Sequence, residues 1–474
     1  MEITVTTVRP FVLALAASVL GACSFIPAYE RPAAPVPASV GQLSPSGQEG
    51  AGTATRLDEL AWRDYFADAR LQAVIALALE NNRDLRIAAL NIERARALYG
   101  IQQADLFPSI AGTAGSSAQR IPGDLAGGGS SVISRQYSVG LGFAGYELDF
   151  FGRVRSLEEQ ALQVYLGTEE AHRSARISLV AETANAWLRL AADRERLEVA
   201  QRTFESRRQS LELTQRSHEA GAVSALDLRQ QESLLQSARA DVASFTSLVT
   251  QDENALRLIV GSAVAADLLP AALLDSITTV AELPAGLSAE VLTRRPDIVQ
   301  AEHALRAANA NIGAARAAFF PSISLTASAG TASASLSGLF DGGSASWSFV
   351  PQIRLPIFEA GRLQASLDAA EIQRDIQVAE YEKAIQLAFR EVADALAERA
   401  TLAEQIDARQ ELLDITRKSF ELSDARYRGG VDSYLNLLDA QRSLYGAELE
   451  LISVRLLDAS NRVALYKALG GGWQ

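Results

Sequence analysis

The side chains able to form covalent bonds or bind metals are few in this sequence, and they lie far apart. Among 474 residues there is one cysteine, Cys23, and there are three histidines, His172, His218 and His303. One cysteine excludes an internal disulfide and a cysteine-based zinc site, and no two histidines are spaced as a metal pair. The HExxH and GxSxG patterns do not occur. The sequence therefore predicts neither an enzyme nor a protein that carries a cofactor.

One glycine pattern matches a nucleotide-binding motif by its letters alone. The segment GLGFAG, Gly140 to Gly145, fits G-x-G-x-x-G, but a dinucleotide site needs these glycines between a strand and a helix. Gly140 and Gly142 instead fall inside YSVGLGF, Tyr137 to Phe143, where apolar and small residues alternate. We therefore interpret them as small residues on one face of a strand.

The charge distribution bears on possible partners. The net charge is −13, and lysine and arginine form no basic tail or stripe. Contact with phosphates requires clustered cations, so nucleic acid is not an expected partner. Hydrophobic residues make up 48% of the chain, which is enough to bury a substantial core.

The chemistry expected of Cys23 follows from its place near the N-terminus. Residues 11–22 read FVLALAASVLGA, an apolar run with the length of a signal peptide rather than of a membrane span. Its end, Leu20-Gly21-Ala22-Cys23, resembles a bacterial lipobox, in which the cysteine is lipidated and becomes the first mature residue. We predict a signal peptide at 1–22, a covalent lipid on Cys23, and an extended, poorly ordered tether at 23–60. Ser24 favours sorting to the outer membrane. An ordinary signal peptide with an incidental cysteine is the alternative.

The rest of the chain repeats itself. GIQQADLFPSI at 100–110 and GAARAAFFPSI at 313–323 share six of eleven residues, and GAVSALDLRQQES from Gly221 aligns with GVDSYLNLLDAQR from Gly430. We predict a first repeat at 61–265, a linker at 266–292 and a second repeat at 293–474. Each repeat is expected to contain a helix, two strands, a long helix and a second helix with a heptad pattern.

The long helices indicate the architecture. Residues 362–428 contain no glycine and no proline, and residues 153–220 contain one glycine, Gly167. A continuous helix of this length would extend about 100 Å. In the helix that follows the first of them, apolar residues recur every seventh position, which is typical of side-by-side helix packing; they are Leu228, Leu235, Val242, Val249 and Leu256. The predicted arrangement is a hairpin of long packed helices, with an exposed single helix or a compact bundle as the alternatives.

The strands indicate a membrane. YSVGLGF and WSFVPQIRLP, Trp347 to Pro356, alternate apolar with polar or small residues over about the length of a membrane-crossing strand. Their predicted partners begin at Ser109 and Ser322. Four strands are too few to close a barrel, and open edges are not tolerated in lipid. If these strands span a membrane, several chains must pool them. Two soluble β-hairpins are the alternative.

Taken together, these features resemble the TolC-like outer membrane factors. The residues that carry the resemblance are the lipobox, the duplication, FPSI before each strand pair, RRPDI at 294–298 and GVDSYLNLLDAQRSLY at 430–445. The OprM-like lipoprotein branch, which serves resistance-nodulation-division efflux pumps, is the most similar. The resemblance implies an α+β membrane protein, a homotrimer whose outer-membrane β-barrel takes four strands from each chain and continues into a long α-helical barrel.

The resemblance also implies a function, a location and partners. The chain would be the passive exit duct of a tripartite pump in a Gram-negative outer membrane, lipid-anchored and in contact with outer-membrane lipid. It would export small molecules such as drugs, with a periplasmic adaptor protein and an inner-membrane resistance-nodulation-division pump as partners. The linker at 266–292 would belong to an equatorial collar. A structural or adaptor lipoprotein that forms no pore is the other class considered.

In the family, residues at the periplasmic tip form a constriction. The matching positions here are Tyr427, Leu435, Asp439 and Arg442, with Asp432 and Asp227 as weaker candidates. Each also has a purely structural interpretation. Asp432 or Ser433 could cap a helix, and Ser224-x-x-Asp227 fits a capping box. Asp439 and Arg442 could form a solvated pair on the helix surface, and Leu435 could belong to the core.

Overall fold

The computed structural model describes residues 24–37, 39–40, 61–125, 130–273, 277–278 and 287–471. Cys23, the predicted signal peptide, and most of the predicted tether lie outside the described residues, as does part of the linker. Two compact units are formed. The first takes its described residues from Met1–Ala33, Asn91–Glu169 and Gln300–Glu382, and the second from Ala34–Leu90, Glu170–Val299 and Lys383–Gln474.

The order of elements follows the duplication of the sequence. In chain order they are β1 (Ser39–Val40), α1 (Trp62–Tyr65), α2 (Ala69–Asn81), α3 (Arg83–Ala104), β2 (Ala111–Ile121), β3 (Val132–Leu148), α4 (Arg153–Glu219), α5 (Ala225–Val260), β4 (Leu287–Ser288), α6 (Pro296–Ala317), β5 (Ser322–Ser333), β6 (Ala345–Arg354), α7 (Arg362–Arg428) and α8 (Tyr434–Ala468), with short 3₁₀ turns at Ala266–Leu268, Ala289–Arg294 and Leu336–Gly338. The predicted succession of a helix, two strands and two helices occurs twice, while the boundaries of the repeats stay a prediction. The helices α4 and α7 have 67 residues each, or about 100 Å.

The first unit contains a four-stranded antiparallel sheet in the order β2-β3-β5-β6. Its register places apolar residues on one face, where the pairs between β6 and β5 are Trp347–Ala329, Phe349–Ala327, Pro351–Leu325 and Ile353–Ile323. On the other face the hydroxyls of Ser328 and Ser348 lie 2.8 Å apart. All ten residues of β6 are exposed. The predicted alternation is therefore present, and among the described residues the large apolar side chains of β6 are left uncovered.

The glycines of this sheet allow its strands to approach closely. A Cβ added to Gly142 would lie 2.5 Å from the carbonyl oxygen of Ala327, and one added to Gly330 would lie 2.2 Å from that of Val139. Both atoms belong to the backbone of the neighbouring strand, so they cannot move aside as a side chain could. Gly142 therefore serves strand packing, which confirms the strand interpretation of the GLGFAG segment.

The first described residues of the chain lie on α6. The ring of Phe25 stacks on that of Phe320, just after this helix, with 4.6 Å between centroids, and the side-chain amide of Asn309 donates to the carbonyl of Pro27 at 2.8 Å. The prediction of a poorly ordered tether is wrong for residues 24–31, because its composition did not show these distant partners.

A buried carboxylate fixes the far end of this segment. Glu302 of α6 accepts hydrogen bonds from the hydroxyl of Tyr29 at 3.1 Å and from the guanidinium groups of Arg31 at 2.6 Å and Arg306 at 2.7 Å. Burial by itself would raise the pKa of Glu302, but the hydrogen bonds from the two arginines outweigh it and the pKa is lowered. The carboxylate is thus a charged anchor point for the N-terminal segment.

The core of the second unit is formed where α1 and α2 pack against α4, α5 and α8. Trp187 of α4 is fully buried there, and its indole nitrogen donates to the carbonyl of Leu268 at 3.0 Å. Alanines dominate the buried positions of α4 around it, which lets neighbouring helices approach closely. A separate two-stranded antiparallel sheet joins β1 to β4.

None of the helices in the described ranges combines the length and apolar character needed to cross a bilayer.

Candidate gate at two helix turns

Two equivalent turns of the second unit carry the predicted site residues. Gly221 follows the end of α4 and Gly430 follows the end of α7, both in the left-handed conformation, with φ of +77° and +69°. After Gly221, the amide of Ala222 donates to the carbonyl of Ser217, and after Gly430 the amide of Val431 donates to that of Arg426, each at 2.9 Å. This pattern is a Schellman motif, which favours glycine at that position. The two turns are therefore built in the same way.

Tyr427 packs into an aromatic cluster rather than pointing into solvent. Its ring meets that of Tyr434 edge-on, with 5.6 Å between centroids, and Leu234, Leu437 and Leu438 complete the cluster. Burial raises the pKa of Tyr427, and the nearby Asp227 carboxylate raises it further by a smaller amount. Burial also raises the pKa of Tyr434, to well above its usual range. Both phenols are therefore neutral at physiological pH. The cluster joins the end of α7 to the first turn of α8 and to Leu234 of α5.

The two weaker candidates have partners within the chain. The hydroxyl of Ser224 accepts from the amide of Asp227 at 3.2 Å, which confirms Ser224 as the N-cap of α5. The Asp227 carboxylate accepts from the Ser224 hydroxyl at 2.7 Å, rather than from the backbone amide as in a capping box. Asp432 accepts two hydrogen bonds from Arg426, at 2.6 and 3.0 Å, which lower its pKa. Ser433 occupies the N-cap position of α8, but its side chain makes no capping hydrogen bond.

The other three candidates form an exposed stripe on α8. Leu435, Asp439 and Arg442 follow each other at spacings of four and three residues, so they share one face of the helix. Leu435 is 61% exposed, and its core interpretation is wrong. Asp439 and Arg442 are exposed as well, and in the described part of the chain they form no ion pair with each other or with another residue. The stripe is therefore free to contact another molecule.

A polar contact beside the stripe was not predicted from the sequence. Arg207 of α4 is 5% exposed; its guanidinium donates to the carbonyl of Leu234 at 3.0 Å and lies 5.6 Å from the centre of the Tyr445 ring. The Tyr445 hydroxyl donates to Asp241 at 3.2 Å. Arg207 and Tyr445 are separated by more than 200 residues in sequence, so local periodicity carries no signal for this contact.

The sequence and the fold of this chain are similar to those of known proteins. A family model described as outer membrane efflux protein matches residues 74–262 and 287–471. The toluene efflux pump outer membrane protein TtgC of Pseudomonas putida is 50% identical over 464 residues, or 97% of this chain and 95% of TtgC. The outer membrane protein OprJ of Pseudomonas aeruginosa is 46% identical over 459 residues, or 97% of this chain and 95% of OprJ. The open state of the MtrE outer membrane channel of Neisseria gonorrhoeae has a TM-score of 0.85 and 44% identity, covering 95% of this chain and 99% of MtrE.

The α+β fold, rich in helix, is that of the TolC-like outer membrane channels. Within that class, the chain belongs to the outer membrane efflux protein family. The resemblance to TolC-like outer membrane factors is thereby confirmed, together with the function in efflux that it implied. The family consists of efflux ducts rather than enzymes.

Proposed function

We propose that three copies of this chain form the outer-membrane exit duct of a tripartite efflux pump in a Gram-negative bacterium. The observation that carries the proposal is the four-stranded sheet, in which β2 and β6 each pair with one strand only among the described residues. Open edges are not tolerated in lipid, and four strands are too few to close a barrel. A homotrimer removes every edge by pooling its strands, and its long helices form an α-helical barrel.

The duct is a passive, water-filled path for small molecules and needs no cofactor. An inner-membrane resistance-nodulation-division pump and a periplasmic adaptor protein supply the energy and the substrate. TtgC is named for toluene efflux, and ArpC, which is 50% identical to this chain, is named as the outer membrane protein of an antibiotic efflux pump. These names support apolar solvents and drugs as the exported class.

Deleting the gene tests this function. We expect the deletion strain to become several-fold more susceptible to toluene and to apolar antibiotics, and a plasmid copy of the full chain to restore resistance. The protein should fractionate with the outer membrane and migrate as a trimer that heating dissociates. Fractionation with the inner membrane, or unchanged susceptibility in a strain without related ducts, would support the non-pore lipoprotein instead.

Cys23 is proposed as the site of lipid attachment. The contacts of residues 24–31 along α6 support a fixed position for the chain just after this cysteine. Mass spectrometry of the mature protein is expected to show an N-terminal peptide that begins at Cys23 and carries acyl chains. An unmodified Cys23 in the purified outer-membrane protein would contradict the assignment, and Cys23→Ala provides the reference mass.

Leu435, Asp439 and Arg442 are proposed as the constriction that closes the duct at rest. A trimer presents each of them three times around its axis, so Asp439 of one copy can pair with Arg442 of the next. Tyr427, Asp432 and Asp227 then act within each chain, where their contacts fix the two turns that present the stripe. Docking of the adaptor would open the gate by exchanging the contacts between copies.

A further inference from the structure

Three polar side chains connect the helices of the two repeats close to the stripe. Tyr445 of α8 makes contact with Arg207 of α4 through its ring and with Asp241 of α5 through its hydroxyl. We call these three residues the clasp. Among the described residues, Tyr445 thus has one polar contact with each helix of the first-repeat pair.

The clasp contains a buried cation that has no ion pair in the described part of the chain. Burial lowers the pKa of Arg207, although the Tyr445 and Asp241 groups act in the opposite direction. Its Nε atom is buried and has no hydrogen-bond partner among the described residues. A buried guanidinium with so few partners is costly, so the ring of Tyr445 and the carbonyl of Leu234 are its main compensation.

The position of the clasp relates it to the stripe. Tyr445 lies three residues beyond Arg442, which is a rise of about 4.5 Å along α8. Between Tyr434 and Tyr445, α8 makes about three turns, and its first turns carry Leu435 and Asp439. If the gate opens by moving these first turns away from α5, then the contacts of Tyr445 determine where this movement stops. From Tyr445 onward, α8 stays attached to α4 and α5.

We propose that the clasp of Arg207, Asp241 and Tyr445 is a positioning device that limits the movement of α8 and so stabilises the closed gate. This proposal rests on the proposed function of the stripe as a gate. The stripe itself makes the contacts between copies, whereas the clasp determines how much of α8 is free to move. Loss of the clasp lengthens the mobile part of the helix and shifts the equilibrium toward the open state.

The test measures the open frequency of reconstituted trimers in planar bilayers. Tyr445→Phe removes the hydrogen bond to Asp241 but keeps the ring over Arg207, and Asp241→Ala removes the same bond from the other side. Each variant is expected to open about fivefold more often than the wild type, and the double variant no more often than either one. Arg207→Lys, which keeps the charge but not the planar guanidinium, should also raise the open frequency.

Tyr65→Phe is the matched control. It removes a buried tyrosine hydrogen bond, from the hydroxyl to the carbonyl of Arg462 at 2.7 Å, that involves neither the clasp nor the stripe. We expect its open frequency to equal that of the wild type, while heat dissociation of the Tyr65→Phe and Tyr445→Phe trimers should be similar. The clasp proposal would be overturned if Tyr445→Phe and Tyr65→Phe opened equally often. It would also be overturned if the effects of Tyr445→Phe and Asp241→Ala were additive.

The failure of the clasp can be distinguished from the failure of the gate. The double variant Asp439→Ala plus Arg442→Ala is measured in the same bilayers. If this double variant opens more often than the wild type but the clasp variants do not, the clasp proposal is wrong and the gate assignment is retained. If neither set opens more often, the gate assignment is wrong and the clasp fails with it.

Discussion

Replacing Asp439 and Arg442 together by alanine is expected to raise the open frequency of the channel about tenfold. Neither side chain has an ion-pair partner within the described part of its own chain, so both are available to neighbouring copies. An exposed ion pair contributes roughly 0.2–1 kcal/mol, and a trimer would contain three such pairs. Their sum is on the order of the 1.4 kcal/mol that corresponds to a factor of ten.

The measurement is single-channel recording in planar bilayers, with a control that removes a similar pair. Lys418→Ala plus Glu421→Ala deletes an exposed acid–base pair of α7, 3.1 Å apart, that is already satisfied within one chain. This control leaves the net charge unchanged, as the test variant does. We expect it to behave like the wild type. Equal open frequencies for the test variant and the control, with intact trimers in both, would contradict the gate assignment.

Replacing Gly330 by alanine is expected to abolish most of the inserted channel. The added Cβ would lie 2.2 Å from the carbonyl oxygen of Val139 and 2.5 Å from the Cα of Gly140. Both are backbone atoms of β3, so the pairing of β3 with β5 has to open at its centre. Overpacking of this kind costs about 1–3 kcal/mol, in a sheet that must also avoid free edges in lipid.

The heat-dissociable trimer in outer-membrane fractions provides the measurement. Gly115→Ala is the control, because Gly115 lies in β2 on the same face of the sheet, and its added Cβ would meet only the Ser138 hydroxyl at 3.7 Å. We expect wild-type amounts of trimer for Gly115→Ala and several-fold less for Gly330→Ala. Normal amounts of trimer with Gly330→Ala would show that the four-stranded sheet is not the pairing used in the membrane.

The helices could be predicted closely because their limits depend on neighbouring residues. The segment without glycine or proline at 362–428 has the same bounds as α7, since glycine at one end and the Schellman glycine at the other stop the helix locally. The strands were predicted less well. β3 extends over 17 residues rather than the seven of YSVGLGF, because its length depends on pairing with β2 and β5, and periodicity alone does not show that pairing.

The candidate site was predictable where the turn itself determines the geometry. Asp227 and Ser224 are close in sequence, and their capping pattern could be read from the letters. The stripe required the resemblance, because nothing in the spacing of Leu435, Asp439 and Arg442 distinguishes a gate from a solvated helix surface. The clasp could not be found, since its contacts depend on how helices of different repeats pack.

The docked N-terminal segment has a consequence for the order in which the protein can mature. Tyr29 and Glu302 are 273 residues apart in sequence, so this contact cannot form until well over half of the chain has emerged. A lipid attached just before Ser24 would therefore sit on a segment that has not yet docked on α6 during most of secretion. The anchor can then reach the bilayer before the body folds, and closure of this contact becomes a late step.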